Sequence, residues 1–172
     1  MLKKNFRNPA VLVNKLNRIV YKNKLQHSNS RTGILRWHNH NFEETKYETS
    51  LLNLKEAEMI FTFYERLARR AGNKKIMITS FYSAQIKTLR DMFTTRLRPQ
   101  DKIISIDSSQ GTETDIMLIS CVRNGKNGIG FCKDKRRLNV AISRAKEQLH
   151  LFGYKPTFER NSRNWKKLCK NI

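Results

Sequence analysis

The sequence predicts a single α/β domain built on a mainly parallel sheet flanked by helices. A length of 172 residues suits one core better than two. Short isoleucine-rich apolar runs alternate with amphipathic segments at helical spacing, and parallel neighbours need such crossover helices. The runs are also nearly continuous in apolar character, as strands buried on both faces are.

Taken in order, Asn8 reads as an N-cap and Pro9 as a first helical residue, with Leu12, Leu16, Ile19 and Val20 on one face, predicting a helix from about Pro9 to Tyr21. Lys24 to Ser50 is polar apart from Ile34, Leu35 and Trp37, which predicts a loop with one short strand. Asn53 with Glu56 forms a capping-box pattern ahead of a helical stripe through Ala57, Ile60, Phe61, Tyr64, Leu67 and Ala68 that stops near Gly72. Ile76 to Ile78 is a strand, and Ile86, Leu89, Met92 and Phe93 mark a helix. Ile103, Ile104 and Ile106 form the next strand, and Asp115 to Cys121 another. A helix capped by Asp134 carries Leu138, Ala141, Ile142 and Ala145; Gln148 to Phe152 is a strand, and Trp165, Leu168 and Ile172 predict a final short helix. Loops that do chemistry are expected at the carboxyl ends of the strands.

Charge narrows the partners. The chain has 35 Lys plus Arg against 14 Asp plus Glu, a net +21. Nine basic residues and no acid occupy residues 1 to 42. Such an excess implies a polyanion, nucleic acid first, with a solubilising surface as the alternative. No run is long and apolar enough to span a membrane and no secretory signal is evident, so an intracellular protein of nucleus or cytoplasm is expected. Cys121, Cys132 and Cys169 are odd in number and form no CxxC pair, which supports neither a disulfide framework nor a zinc site. His38 and His40 flank one residue and are read as polar loop positions, so no metal is expected on this chain.

Two segments are too polar to be mere connections. In Ser105-Ile-Asp-Ser-Ser-Gln-Gly-Thr-Glu-Thr-Asp115, Gly111 permits close backbone approach, and hydroxyls and backbone N–H groups suit phosphate oxygens. Asp107 and Glu113 have three candidate roles there: orienting a ribose, a water or a neighbouring arginine. A simple turn is the plainer alternative. In Arg136-Arg-Leu-Asn-Val-Ala-Ile-Ser-Arg-Ala-Lys146, helical spacing puts Arg137, Arg144 and Lys146 near the helix ends, where they either clamp phosphate or form a solvated basic face.

These two segments, with Gly128-Ile-Gly-Phe131 between them, resemble motifs V and VI of superfamily 1 helicases of the up-frameshift and senataxin kind, in order and at the family's spacing. Ser80-Phe-Tyr-Ser-Ala-Gln85, Asn5-Phe-Arg-Asn-Pro9 and Asn53-x-x-Glu56-Ala57 are similar to further family motifs, so the likeness covers nearly the whole chain. Ser109 replaces a usual aromatic, Phe81 a proline, Phe6 a tyrosine, and Asn8 a Met-His pair. The resemblance implies a RecA-like fold, the second of two motor domains, spanning residues 1–172. It implies that Arg7 and Arg144 act as arginine fingers on ATP, with Gln110, Gly111, Glu113 and Arg137 lining the nucleotide. Ser80, Ser105, Ser108 and Asn139 would face single-stranded RNA or DNA, and Tyr82 would stack on a base or sit in the core. No Gly-x-x-x-x-Gly-Lys-Ser/Thr loop and no Asp-Glu magnesium site occur in the sequence. The first RecA-like domain, in cis or in trans, would supply both, with Mg²⁺, and the chain alone is expected not to hydrolyse ATP. Met1 stands four residues before Asn5, where a boundary between motor domains would fall. The alternatives are a stand-alone basic strand-binding module without ATPase activity, which would not need Arg7 and Arg144, and a partner-binding protein unconnected with ATP.

Overall fold

The computed structural model describes residues 4–5, 8–21, 24, 26–27, 32–125 and 128–172. Lys4–Asn5 (β1) pairs in parallel with Gln26–His27 (β2), with helix α1 (Ala10–Leu16) and a π-helical turn (Asn17–Tyr21) between them. Ile34–Asn39 (β3) follows, then an antiparallel hairpin of Thr45–Tyr47 (β4) and Ser50–Leu52 (β5). Leu54–Ala68 (α2), Ile76–Ser80 (β6), Ser83–Phe93 (α3), Lys102–Ser105 (β7) and Thr114–Ser120 (β8) come next. Lys135–Ser143 (α4), Ala145–Gly153 (β9), Lys155–Asn161 (α5) and Arg163–Cys169 (α6) complete the chain. Strands β3, β9, β8, β6 and β7 lie in that order in one wholly parallel sheet, the RecA-like α/β architecture expected.

Period-two alternation sorts the sheet's side chains between two cores. Ile76, Ile78, Ile116 and Leu118 pack under α2 and α3. Met77, Met117, Ile119, Leu149 and Leu151 pack under α1, α4, α5 and α6. Trp165 of α6 fills the second core against Trp37 and Phe158, and its ring N–H donates to the Cys132 carbonyl at 2.6 Å. All three cysteines are free and buried, and burial holds the Cys169 thiol up at about 12.

Four expectations need correction. His38, expected in a loop, lies in β3, and His40 just after it is buried. Pro9, not Asn8, caps α1, because the Asn8 amide is drawn away to the carbonyls of Ser143 (3.0 Å) and Ala145 (2.7 Å). The polar stretch to Ser50 contains β2 and a hairpin as well as β3; the hairpin's turn puts Glu48 at φ 52 without the glycine or asparagine that would signal it. Helix α5 went unforeseen, although Pro156 in its first turn suits a helix start.

The capping box is half made. Asn53 Oδ1 accepts from the Glu56 N–H at 3.0 Å, but the Asn53 N–H donates to Gln85 Oε1 at 2.7 Å instead of to Glu56. That frees the fully buried Glu56 carboxylate for three other donors: the Ser120 hydroxyl, the Val122 N–H at 3.0 Å and His40 Nε2 at 2.7 Å. Val122 sits at φ 68, where a β-branched residue is strained, in a three-residue turn closed by Arg123 N–H to the Cys121 carbonyl at 2.7 Å. Glu56 holds its N–H, and Asn53 Nδ2 donates to its carbonyl at 3.1 Å. Glu56→Ala leaves three buried donors unmet and is expected to cost about 3 kcal/mol or more in urea unfolding. The exposed Glu58→Ala on the same helix should stay within about 0.5 kcal/mol, and equal effects would refute this role.

Between β3 and β9, His150 Nε2 lies 3.1 Å from Gln148 Oε1, leaving Nδ1 to accept from His38 Nε2 at 3.0 Å. This pattern leaves the His150 ring neutral. Burial, reinforced by Arg36, lowers the His38 pKa to about 4; burial, His38 and Arg36 lower that of His150 to about 3. In the unfolded chain they protonate near 6.5. The unfolded state thus binds more protons below that pH, so stability should fall as pH drops from about 6.5 towards 4. Thermal melts should show this slope, and the double variant His38→Phe/His150→Leu should flatten it; an unchanged slope would contradict the assignment.

Candidate functional site

Residues 106 to 113 return from the carboxyl end of β7 to the amino end of β8, so one short loop reaches both edges of the sheet. Tight turns brace it: Ser109 N–H donates to the Ser105 carbonyl at 3.0 Å, Gln110 N–H to Asp107 at 3.3 Å and Thr112 N–H to Ser109 at 3.1 Å. Ser109, the departure from the family's aromatic, is fully buried and its hydroxyl donates to the Ile106 carbonyl at 2.6 Å. Gly111 takes φ 85, a conformation an L side chain resists. Gln110 and Gly111 are exposed at the outside of this bend.

At the carboxyl end, Ser105 and Ser108 bring their hydroxyls to 2.7 Å of each other, and the Ser108 N–H donates to Ser105 Oγ at 3.1 Å. They border a groove with Ser83, Lys87, Arg90 and Asp91. Exposed Lys87 and two hydroxyls suit phosphate oxygens. Arg90 is occupied: its Nε and Nη2 both donate to the Ile103 carbonyl, at 3.0 and 2.9 Å.

At the amino end, Glu113 pairs with Lys146 at 3.2 Å, and Thr114 N–H donates to the Arg144 carbonyl at 3.2 Å. Arg144 is the C-cap of α4, half-buried, and Asn8 Nδ2 ties the carbonyls on either side of it. Asn8 is next in sequence to Arg7, which itself lies outside the described residues. Motif V's Glu113, motif VI's Arg144 and Lys146, and the segment beside Arg7 thus converge. Arg144, whose flanking backbone is braced, and Lys146, paired with Glu113, lie two residues apart at this edge, and an arginine and a lysine are the donor types that fit nucleotide phosphates.

Helix α4 joins the two ends. Asp134 Oδ1 caps it, accepting from Arg136 N–H at 2.6 Å and Arg137 N–H at 3.1 Å, and these bonds hold its carboxyl below the usual range. Arg137 makes a two-pronged pair with Asp107, Nε to Oδ1 and Nη2 to Oδ2, both 2.9 Å. Of the roles open to Asp107, the structure shows the arginine partner, and Arg137 is engaged with this loop at its carboxyl-end side. Asn139 is half-buried on α4. Ser80 and Tyr82 are turned inward: the Ser80 hydroxyl donates to the Ser120 carbonyl at 3.0 Å, and Tyr82, 3 % exposed, reaches the Ile129 carbonyl at 3.4 Å. As folded, Tyr82 is a core residue, and neither side chain offers a surface to a strand. Sequence reasoning missed Asn8 as a brace, Lys87 and the exposure of Phe131; only the charge of Lys87 was a visible signal.

The Asp107–Arg137 pair is largely solvent-exposed on the Asp107 side, at 62 %. It should orient the loop more than stabilise it, so a double-mutant cycle through Asp107→Ala and Arg137→Ala should give a coupling of about 1 kcal/mol or less. A coupling above about 2 kcal/mol would mean the pair holds the fold together.

A family model described as an AAA domain (AAA_12) matches residues 1–156. The probable helicase MAGATAMA 3 of Arabidopsis thaliana is 35 % identical over 131 residues, covering 71 % of this chain and 16 % of that protein. Helicase SEN1 of Saccharomyces cerevisiae is 32 % identical over 140 residues, 75 % of this chain and 6 % of that one. A regulator of nonsense transcripts 1 homolog of Drosophila melanogaster is 39 % identical over 114 residues, 61 % of this chain and 10 % of that one. The chain thus matches only a small part of each of these relatives. The crystal structure of the C-terminal domain of a possible DNA helicase from a Lactobacillus matches with a TM-score of 0.61 at 11 % identity, over 96 % of this chain and 95 % of that one, and so shares the fold. With the family model matching nearly its full length, and with motifs V and VI meeting at both edges of one parallel sheet, the chain belongs to the superfamily 1 helicases of the up-frameshift and senataxin group.

Proposed function

We propose that this chain is the second motor domain of an ATP-dependent RNA or DNA helicase: it supplies arginine fingers to an ATP site completed by a first RecA-like domain, and it grips the backbone of a single strand. The observation that carries this reading is the two-ended loop of residues 106 to 113. At its amino end the Glu113–Lys146 pair and the backbone bond from Thr114 to Arg144 bring together the residues that would meet a nucleotide. Its carboxyl-end neighbours, Ser105, Ser108 and Lys87, suit backbone phosphates.

ATP, with Mg²⁺ held by the first domain, would supply the phosphoryl bond whose cleavage drives the motor. This chain's part is electrostatic. Arg144, fixed at the end of α4, and Arg7, beside the Asn8 brace, would neutralise charge as it spreads over the transferring phosphoryl group. A fixed guanidinium there acts without reorganising at the moment of reaction, and arginine fingers are worth about 10³ to 10⁵ in rate. Glu113 would keep Lys146 in place beside them. The overall charge of +21 would attract a polyanionic strand and make its binding depend on salt.

The test is ATP turnover with single-stranded RNA, measured on the chain alone and fused to the first motor domain of a related helicase. The chain alone should be inactive and the fusion active. Arg144→Ala or Arg7→Ala should lower the fusion's kcat roughly 10³-fold or more with the fold intact. A folded, docked fusion that stays inactive while the chain retains salt-sensitive strand binding would leave the stand-alone binding module instead.

A further inference from the structure

Among the described residues, Phe131 is the most exposed of the large apolar side chains, at 58 %. Its position is built. Gly128 and Gly130 take φ 68 and 45, and a Cβ on Gly130 would come within 2.7 Å of the Tyr82 hydroxyl oxygen. The resulting turn (Gly130–Lys133) is pinned by Cys132 N–H to the Ile129 carbonyl at 3.0 Å and by the buried Tyr82 hydroxyl on that same carbonyl. The Tyr82 ring lies 5.9 Å from that of Phe131 and gives it a fixed base. The Arg137 guanidinium lies 5.3 Å from the Phe131 ring centroid, and Asp107 holds that guanidinium with two bonds. A continuous run therefore leads from Phe131 through Arg137 and Asp107 to the exposed Ser108 hydroxyl.

We infer that Phe131 is a stacking platform for one base of the bound strand, set beside the phosphate-binding hydroxyls of Ser105 and Ser108. A rigid ring costs little entropy to use, and the adjacent guanidinium offers a second flat cationic surface. Stacking of this kind tolerates any base, because every base has a π-face. It gives this chain a contact with bases as well as with backbone, without reading sequence. The inference rests on the strand-binding reading above.

The test uses the whole chain and two single-stranded probes, a uridine 12-mer and a 12-mer of the same backbone with its bases removed. Wild-type chain should bind the base-bearing strand more tightly, and Phe131→Ala should weaken that binding roughly 5- to 150-fold while leaving the abasic affinity unchanged. Phe131→Trp should restore it, whereas Phe131→Leu, which keeps apolar bulk and loses the ring, should not. If Phe131→Ala binds both strands as wild type does, the platform is refuted while strand binding stands, and the ring becomes a contact for a protein surface. If the wild-type chain binds neither strand, the strand-binding reading itself fails and the platform falls with it.

Discussion

Everything at the carboxyl edge of the sheet depends on a strained turn at Val122 and on the two side chains that hold it. A valine at φ 68 costs about 1–3 kcal/mol and persists only if its surroundings leave it no alternative. Glu56 takes its N–H and Asn53 its carbonyl, and both come from the start of α2, an element covering the opposite face. The turn bends the chain out of β8 towards Arg123, which is buried in a pair with Glu44 at 3.5 Å and donates to the Gly128 carbonyl at 2.9 Å. From there the chain reaches the glycine-rich turn that raises Phe131 and the Asp134 cap that starts α4. Burying one carboxylate is costly, and three donors offset that cost only in this geometry. The site beyond it is thereby set by the core.

A second constraint follows from topology. Parallel strands place all carboxyl ends on one edge and all amino ends on the other, about the length of a strand apart. The family's two long motifs meet at both edges because the loop after β7 crosses back without a helix while α4 runs beside it. The Asp107–Arg137 pair joins loop to helix at one end, and the Thr114 to Arg144 bond joins them at the other. A shift of the loop at the serines therefore has a short covalent and hydrogen-bonded route to Arg144, which under the proposed function would couple strand to nucleotide.

Much of this was legible in the sequence, for physical reasons that differ by element. Apolar runs such as Ile76–Ile78 and Asp115–Cys121 announced buried strands because a parallel sheet leaves no polar face. Asn53 and Asp134 announced helix starts because few residue types satisfy orphan N–H groups. The loop and α4 stood out because polar density between buried strands is uneconomical unless used. What stayed hidden depends on long-range partners: Asn8 is a sound local cap, yet two carbonyls some 135 residues away claim its amide. Ser80 and Tyr82 have the right chemistry for a strand, but only the fold reveals that they point inward. Glu48 conceals a hairpin because it occupies a turn position that glycine or asparagine usually fills. Phe131 was invisible because its exposure is decided by Tyr82, nearly fifty residues earlier.

The most direct test of the two-ended site is strand affinity at fixed salt for the chain carrying Ser105→Ala/Ser108→Ala, compared with the chain carrying Arg144→Ala. The serine pair should weaken binding several-fold, and Arg144→Ala should leave it close to wild type, because Arg144 lies at the other edge of the sheet. Equal loss from both variants, or loss from Arg144→Ala alone, would contradict the division of the domain into a strand end and a nucleotide end.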